Sequence, residues 1–308
     1  MSTNYQKTLK DNIEISGIGL HTGQKVNLKI KPADSNVGIV FKRTDLDVKN
    51  NFIEASYKNV SSAVLCTKIS NSDGVSVSTI EHLMAAFYGE NIDNAIVEID
   101  AEEVPIMDGS AFDFVEDIRS VGTEDLKHKK KFIKVLKKLE IVEGNKSISI
   151  EPLSKDLIID FEIVYKNPLI RTRRKEFKIG SGDINSIYNS RTFCLYEDID
   201  KIRNMGLAKG GSLKNAIVVN GNKILNEDGL RNRHEFVEHK ILDCLGDLML
   251  TGHRVYGYLK TSQGGHQLTN TLLRKFLSNK ENWEFVNSLE SQTNTKENKY
   301  TRSIAVNA

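Results

Sequence analysis

Residues 78–99 read S-T-I-E-H-L-M-A-A-F-Y-G-E-N-I-D-N-A-I-V-E-I, and their periodicity decides the fold class. Ile80, Leu83, Met84 and Phe87 recur at helical spacing and Gly89 stops the run, so the pattern predicts a helix over 78–89. A strand, A-I-V-E-I (95–99), follows it. Upstream, K-V-N-L-K-I-K (25–31) alternates strictly, with Val26, Leu28 and Ile30 on one face, and V-G-I-V-F (37–41) reads as a second strand. Downstream, the loop V-P-I-M-D-G-S (104–110) leads into a helix from about Ser110 to Arg119.

The second half repeats that plan. F-I-K-V-L (132–136), K-S-I-S-I (146–150) and L-I-I-D-F-E-I-V (157–164) are strands, and a long helix covers His234 to Leu250. The strand V-Y-G-Y-L (255–259) and a helix from about Gln267 to Leu277 complete it. Each helix needs a sheet to cover its apolar stripe. The expectation is an α+β fold of two similar two-layer α/β sandwich domains, a pseudo-repeat spanning 1–126 and 127–290 with the active site at the inter-domain cleft. The surplus in the second half, 191–219, is an insertion with its own short strand. Residues 291–308 are too polar to pack and are expected to fray.

Composition narrows the function. The chain has 308 residues, 43 Lys+Arg against 41 Asp+Glu, and 39% hydrophobic residues, ordinary for a soluble globular protein. The net charge of +2 conceals an asymmetry: 11 basic and 20 acidic side chains in 1–126, a balance of −9, against 32 and 21 in 127–308, a balance of +11. No long like-charge tail is present, so nucleic acid is not the default partner. The basic run D-L-K-H-K-K-K (125–131) reads either as a solvated junction or as part of a basic half that draws an anionic substrate toward the cleft. Three cysteines at no metal or redox spacing fit a reducing compartment. No apolar stretch reaches a membrane span or a signal peptide, and the protein is expected in the cytoplasm.

The chemistry concentrates in E-H-K-I-L-D-C-L-G-D (238–247). His239, Asp243 and Asp247 are spaced i, i+4, i+8 and so share one helix face, where an imidazole and a carboxylate one turn apart can bind a divalent ion. The same spacing also describes a polar helix face. H-E-F-V-E-H (234–239) is not a zincin motif, because its histidines are i, i+5. A metal site needs a third ligand, for which His82 is the candidate, preceded by Glu81. Glu81 has two readings: the base beside a metal-activated water, or the fourth position of a capping box S-T-I-E (78–81). His266, after Gly264 and Gly265, is either a helix start or a general acid. The Gly-rich S-G-I-G-L-H-T-G (16–23) lacks the Lys and Ser/Thr of a phosphate loop, so nucleotide cradling by it is rejected.

Those segments, with S-R-T-F (190–193), G-L-A-K-G-G-S (206–212), N-E-D-G-L-R (226–231) and G-G-H (264–266), together resemble one family across nearly the whole chain: the metal-dependent UDP-3-O-acyl-N-acetylglucosamine deacetylases of lipid A biosynthesis. The resemblance implies that His82, His239 and Asp243 are metal ligands for Zn2+, a donor set that Fe2+ also suits. It implies Glu81 as general base, His266 as general acid, Asp247 as the carboxylate that orients it, Lys240 as a cation beside the substrate and Thr192 as an oxyanion donor. Phe193 is expected near the sugar. Leu65, Cys66, Ile199, Gly211 and Ser212 are expected in substrate contacts, the last three in an insertion (about 195–219) resembling the family's acyl passage. Cys66 also matches a cysteine that can meet a second, inhibitory zinc, and His21 matches a family position of underived role. The expected partner is UDP-3-O-acyl-GlcNAc, whose acetamide is attacked by metal-bound water; the enzyme is expected to be a monomer, touching the inner-membrane surface at most transiently. Two alternatives stay open: a non-catalytic binder of acylated nucleotide sugars, and a metal hydrolase of another N-acyl sugar.

Overall fold

The computed structural model describes residues 4–180 and 182–287; the tail expected to fray at 291–308 lies outside the described residues. Its helices are α1 (Glu81–Gly89), α2 (Phe112–Val121), α3 (Ile184–Tyr188), α4 (Ile199–Asn204), α5 (Glu235–Met249) and α6 (His266–Ser278). In the first half five strands lie in the order Ile13–Ile18, Lys25–Pro32, Ala95–Ile99, Ile39–Arg43, Phe52–Glu54. Neighbours run antiparallel except Ala95–Ile99 and Ile39–Arg43, which run parallel. A parallel pair needs a crossover, and here that crossover carries α1, with α2 following the Ala95–Ile99 strand.

The second half repeats both order and direction. Leu139–Glu143, Lys146–Glu151, Arg254–Ser262, Leu157–Val164 and Thr172–Lys178 pair in sequence, with the Arg254–Ser262 and Leu157–Val164 strands parallel. Their crossover carries α5, and α6 follows. The internal repeat expected from periodicity is thus present as strand topology. Arg254–Ser262 is long enough to pair at its other end with Lys131–Val135, and Trp283–Asn287 closes that edge, giving seven strands. The insertion joins a sheet that runs past its expected bounds: Phe193–Leu195, Ile217–Asn220 and Lys223–Ile224 form three strands, with α4 in the loop between the first two.

α1 and α5 pack along each other between the two halves. Gly246 makes this approach feasible, since a Cβ there would lie 2.0 Å from the carbonyl oxygen of Glu81. One hydrophobic core runs through both halves, from Val26, Leu28 and Ile30 on the first sheet to Ile148, Ile159 and Leu259 on the second.

One expectation is corrected and another is refined. The strand read at 37–41 is Ile39–Arg43, because Gly38 turns the chain at φ +72°. The basic run 125–131 is exposed except at Leu126 and Lys130, as a solvated junction would be, but it is regular structure and not a loop. Thr123–Lys129 is a strand that pairs with Tyr5–Leu9, so residue 126 sits within it. Lys130 is buried with its Nζ 2.8 Å from Asp93, which also binds Arg254, because a buried ammonium persists only beside a carboxylate.

Candidate active site

α1 begins at Glu81, and the expected capping box does not form. Ile80 holds the cap position without a side-chain bond, and the Ser78 hydroxyl donates to the Glu102 carbonyl at 3.1 Å. Thr79 turns the chain at φ +56°, and Glu81 and His82 then lie buried on the first turn. Released from capping, the Glu81 carboxylate accepts from the Thr67 backbone N–H at 3.0 Å.

On α5 the three residues one turn apart share a buried face, as their spacing requires. Asp243 Oδ1 lies 3.4 Å from His82 Nε2 and 3.4 Å from His239 Nε2. The two imidazoles meet edge to face, with centroids 5.1 Å apart. His239 Nδ1 is 3.0 Å from the Ser190 carbonyl, and because a carbonyl only accepts, Nδ1 bears the proton and leaves the Nε2 lone pair facing Asp243. Burial drives the His239 pKa down to about 3, so the ring is a neutral donor. Asp243 is held well below the usual carboxylate range, burial being outweighed by the ammonium of Lys240, whose Nζ donates to Oδ2 at 2.5 Å. Three atoms within 4.8 Å of one another, two imidazole nitrogens and a carboxylate oxygen, form a donor set fit for one divalent ion.

Asp247, one turn further, reaches the third histidine. His266 Nδ1 donates to Asp247 Oδ2 at 2.8 Å, and Nε2 lies 3.8 Å from Glu81 Oε1. Burial opposes charge on His266, but Asp247 and Glu81 outweigh it and raise the pKa to about 9. Glu81 is itself raised by burial, against the pull of His266 and His82. The pair is a carboxylate of raised basicity beside an imidazolium, the combination that takes one proton and gives another.

A cavity of about 530 Å3 opens over this centre, and Glu81, His82, His239, Lys240, Asp243, His266, Thr192, Phe193 and Leu65 all line it. Phe193 stands edge to face against Phe236 and Tyr165, centroids 4.9 and 5.7 Å away. Asp247 lies behind His266, outside the cavity wall. Cys66 is buried close by, where burial and Glu81 push its thiol up to about 12. Ile199, Gly211 and Ser212 are not brought to this cavity: Ile199 opens α4, and the Gly210–Ser212 turn packs on Gly19 and Leu20. Sequence reading missed Thr67, Tyr165 and Glu103. Buried Glu103 accepts from the backbone of His21 at 2.8 Å and the Thr79 hydroxyl at 2.9 Å, joining the Gly-rich segment to the start of α1; His21 lines the cavity. Only contact across 82 and 24 residues marks Glu103, and no local pattern signals it.

The family model described as UDP-3-O-acyl N-acetylglycosamine deacetylase matches residues 6–278. Among curated proteins, UDP-3-O-acyl-N-acetylglucosamine deacetylase of Actinobacillus pleuropneumoniae serotype 3 is 44% identical over 284 residues, covering 91% of this chain and 92% of that protein. The proteins of the same name from Haemophilus ducreyi and Aliivibrio fischeri are each 42% identical over 290 residues, with 93% of this chain and 94% of theirs aligned.

Proposed function

The chain belongs to the family of UDP-3-O-acyl N-acetylglycosamine deacetylases, and on that premise we propose how its cavity removes the acetyl group of a UDP-3-O-acyl-N-acetylglucosamine in lipid A biosynthesis. The observation that carries the reading is the convergence, in one cavity, of a three-donor cluster, a buried Glu81 and an imidazolium at His266.

His82, His239 and Asp243 would hold one divalent ion, for which two imidazoles and a carboxylate favour Zn2+ and also suit Fe2+. Such an ion, when bound, supplies a Lewis acid that polarises an amide carbonyl and acidifies water. Glu81 takes the proton of the attacking water. His266, steered by Asp247, protonates the departing amine, so that acetate and the free-amine sugar leave. The Thr192 hydroxyl donates to the oxygen on which charge develops, and Lys240 offsets the substrate's negative charge. Phe193 packs against the sugar. Leu65 and Cys66 border the acyl chain's entry, and the insertion about 195–219, with Ile199, Gly211 and Ser212, guides that chain beyond the cavity. We also infer a division at about residue 126 between two domains, a cytoplasmic location and a monomeric state; among the described residues no helix is long and apolar enough to cross a membrane.

A non-catalytic binder would have no use for Glu81 and His266 beside the donor cluster, which favours the hydrolase. The test is acetate release from UDP-3-O-acyl-GlcNAc set against unacylated UDP-GlcNAc, with bound metal measured in parallel. Glu81→Ala should keep the metal and lose activity by about three orders of magnitude, the middle of the range for a general base. Near-full activity in that variant would overturn the mechanism, and equal turnover of both substrates would overturn the acyl requirement.

A further inference from the structure

Thr67 stands between the two carboxylates that flank His266. It is 2% exposed and follows Leu65, whose φ of +62° turns the chain inward from the exposed rim at Val64 and Leu65. Its backbone N–H donates to Glu81 Oε2 at 3.0 Å, and its hydroxyl donates to Asp247 Oδ1 at 2.6 Å. A backbone N–H can only donate and the hydroxyl gives its proton to the carboxylate oxygen, so both bonds run outward from Thr67. The other oxygen of each carboxylate is the one that faces the imidazole: Glu81 Oε1 at 3.8 Å from Nε2 and Asp247 Oδ2 at 2.8 Å from Nδ1. One residue therefore occupies one oxygen on each side of His266 and thereby selects which oxygen is left for the ring.

We propose that Thr67 is a positioning residue for the hydrolysis, a two-armed clamp that sets the carboxylates of Glu81 and Asp247 in the orientation His266 and the attacking water require. This rests on the reading of Glu81 as base and His266 as acid. The two arms are separable. Thr67→Val deletes the hydroxyl arm at nearly constant volume while leaving the backbone donor to Glu81. Asp247 Oδ1 is then buried without its partner, the carboxylate is free to turn, and the imidazole turns with it. A misoriented proton donor slows the chemical step and leaves substrate binding alone.

The experiment compares wild type, Thr67→Val and Thr67→Ser in two measurements. In metal-loaded enzyme, kcat for acetate release should fall about 10- to 100-fold in the Val variant, the usual range for a buttressing partner, with metal content unchanged. KM should stay within about twofold, and Thr67→Ser should recover to within about threefold of wild-type kcat. In metal-free protein, the downfield proton resonance of His266 Nδ1–H, hydrogen-bonded to Asp247, should persist in wild type and Ser and be displaced or broadened in Val. Val turnover within about twofold of wild type would overturn the clamp, as would a Ser variant as slow as Val, a loss carried wholly by KM, or an unmoved resonance. If Thr67→Val does not accumulate as folded protein, Thr67→Ala takes its place with the same thresholds. Folded, metal-loaded wild type that releases no acetate, together with a displaced resonance in Val, would sink the proposed function and leave the clamp standing.

Discussion

His266 shows how single residues set the chemistry. Free imidazole titrates at about 6.5, whereas in the fold burial is outweighed by Asp247 and Glu81 and the pKa rises to about 9. The folded chain therefore holds this proton more tightly than the unfolded one. The resulting stability is fully present below about pH 6.5 and is lost as pH rises through about 9, a contribution on the order of 3 kcal/mol. In metal-free protein, urea titrations should show the stability gap between wild type and His266→Gln largest near pH 6 and closing by about pH 10. A gap that stayed constant across that range would mean the ring is not charged in the fold. The residues around this histidine differ in how legible they were. His239, Asp243 and Asp247 announced themselves because helical spacing maps sequence onto a face. Thr67 did not, because its partner Asp247 is 180 residues away and nothing in V-L-C-T marks a hydroxyl as buried.

Among the elements, α1 and α5 carry the site, and their separation is set at one atom pair. A Cβ at Gly246 would meet the Glu81 carbonyl oxygen at 2.0 Å and its carbon at 2.8 Å, both backbone atoms that no rotamer change can move aside. Gly246→Ala should gain slightly in helix propensity yet lose about 1–3 kcal/mol through forced separation of the helices. Because the contact falls on Glu81 itself, turnover should fall with it, as thermal melts and kcat on the same preparation would show. An Ala variant as stable and as active as wild type would mean the helices yield at no cost. Both helices were readable from their apolar spacing, and so were the central strands. The peripheral strands were not. Val60–Ser62, Lys68–Ser70 and Ser76–Val77 are too short to show a period, and T-R-R-K-E-F-K (172–178) hides a strand under charges that Asp160 and Glu238 neutralise from neighbouring elements.

At the scale of the whole molecule, the split of −9 and +11 between the halves of the sequence is tied together in part by buried pairs across them. Asp93 of the first half holds Lys130 and Arg254 of the second, both nearly buried, and accepts from the backbone of Lys7 at 2.8 Å. Asp93→Ala would strand two buried cations and should cost about 3 kcal/mol, read as a lowered denaturation midpoint; a loss under about 0.5 kcal/mol would place the halves' attachment elsewhere. Composition showed the charge imbalance but not this knot, because burial of Lys130 depends on pairing with residues distant in the chain. The donor cluster has a related consequence. His82 comes from α1 in the first half, His239 and Asp243 from α5 in the second. The free energy of holding an ion there would be available only while both halves are folded and docked, which would make the ion a source of cooperativity in unfolding. Chelation should lower and broaden the calorimetric transition of wild type. In His82→Ala, added metal should move the midpoint far less, because the two remaining donors sit one turn apart on a single helix and can keep an ion while the other half comes undone.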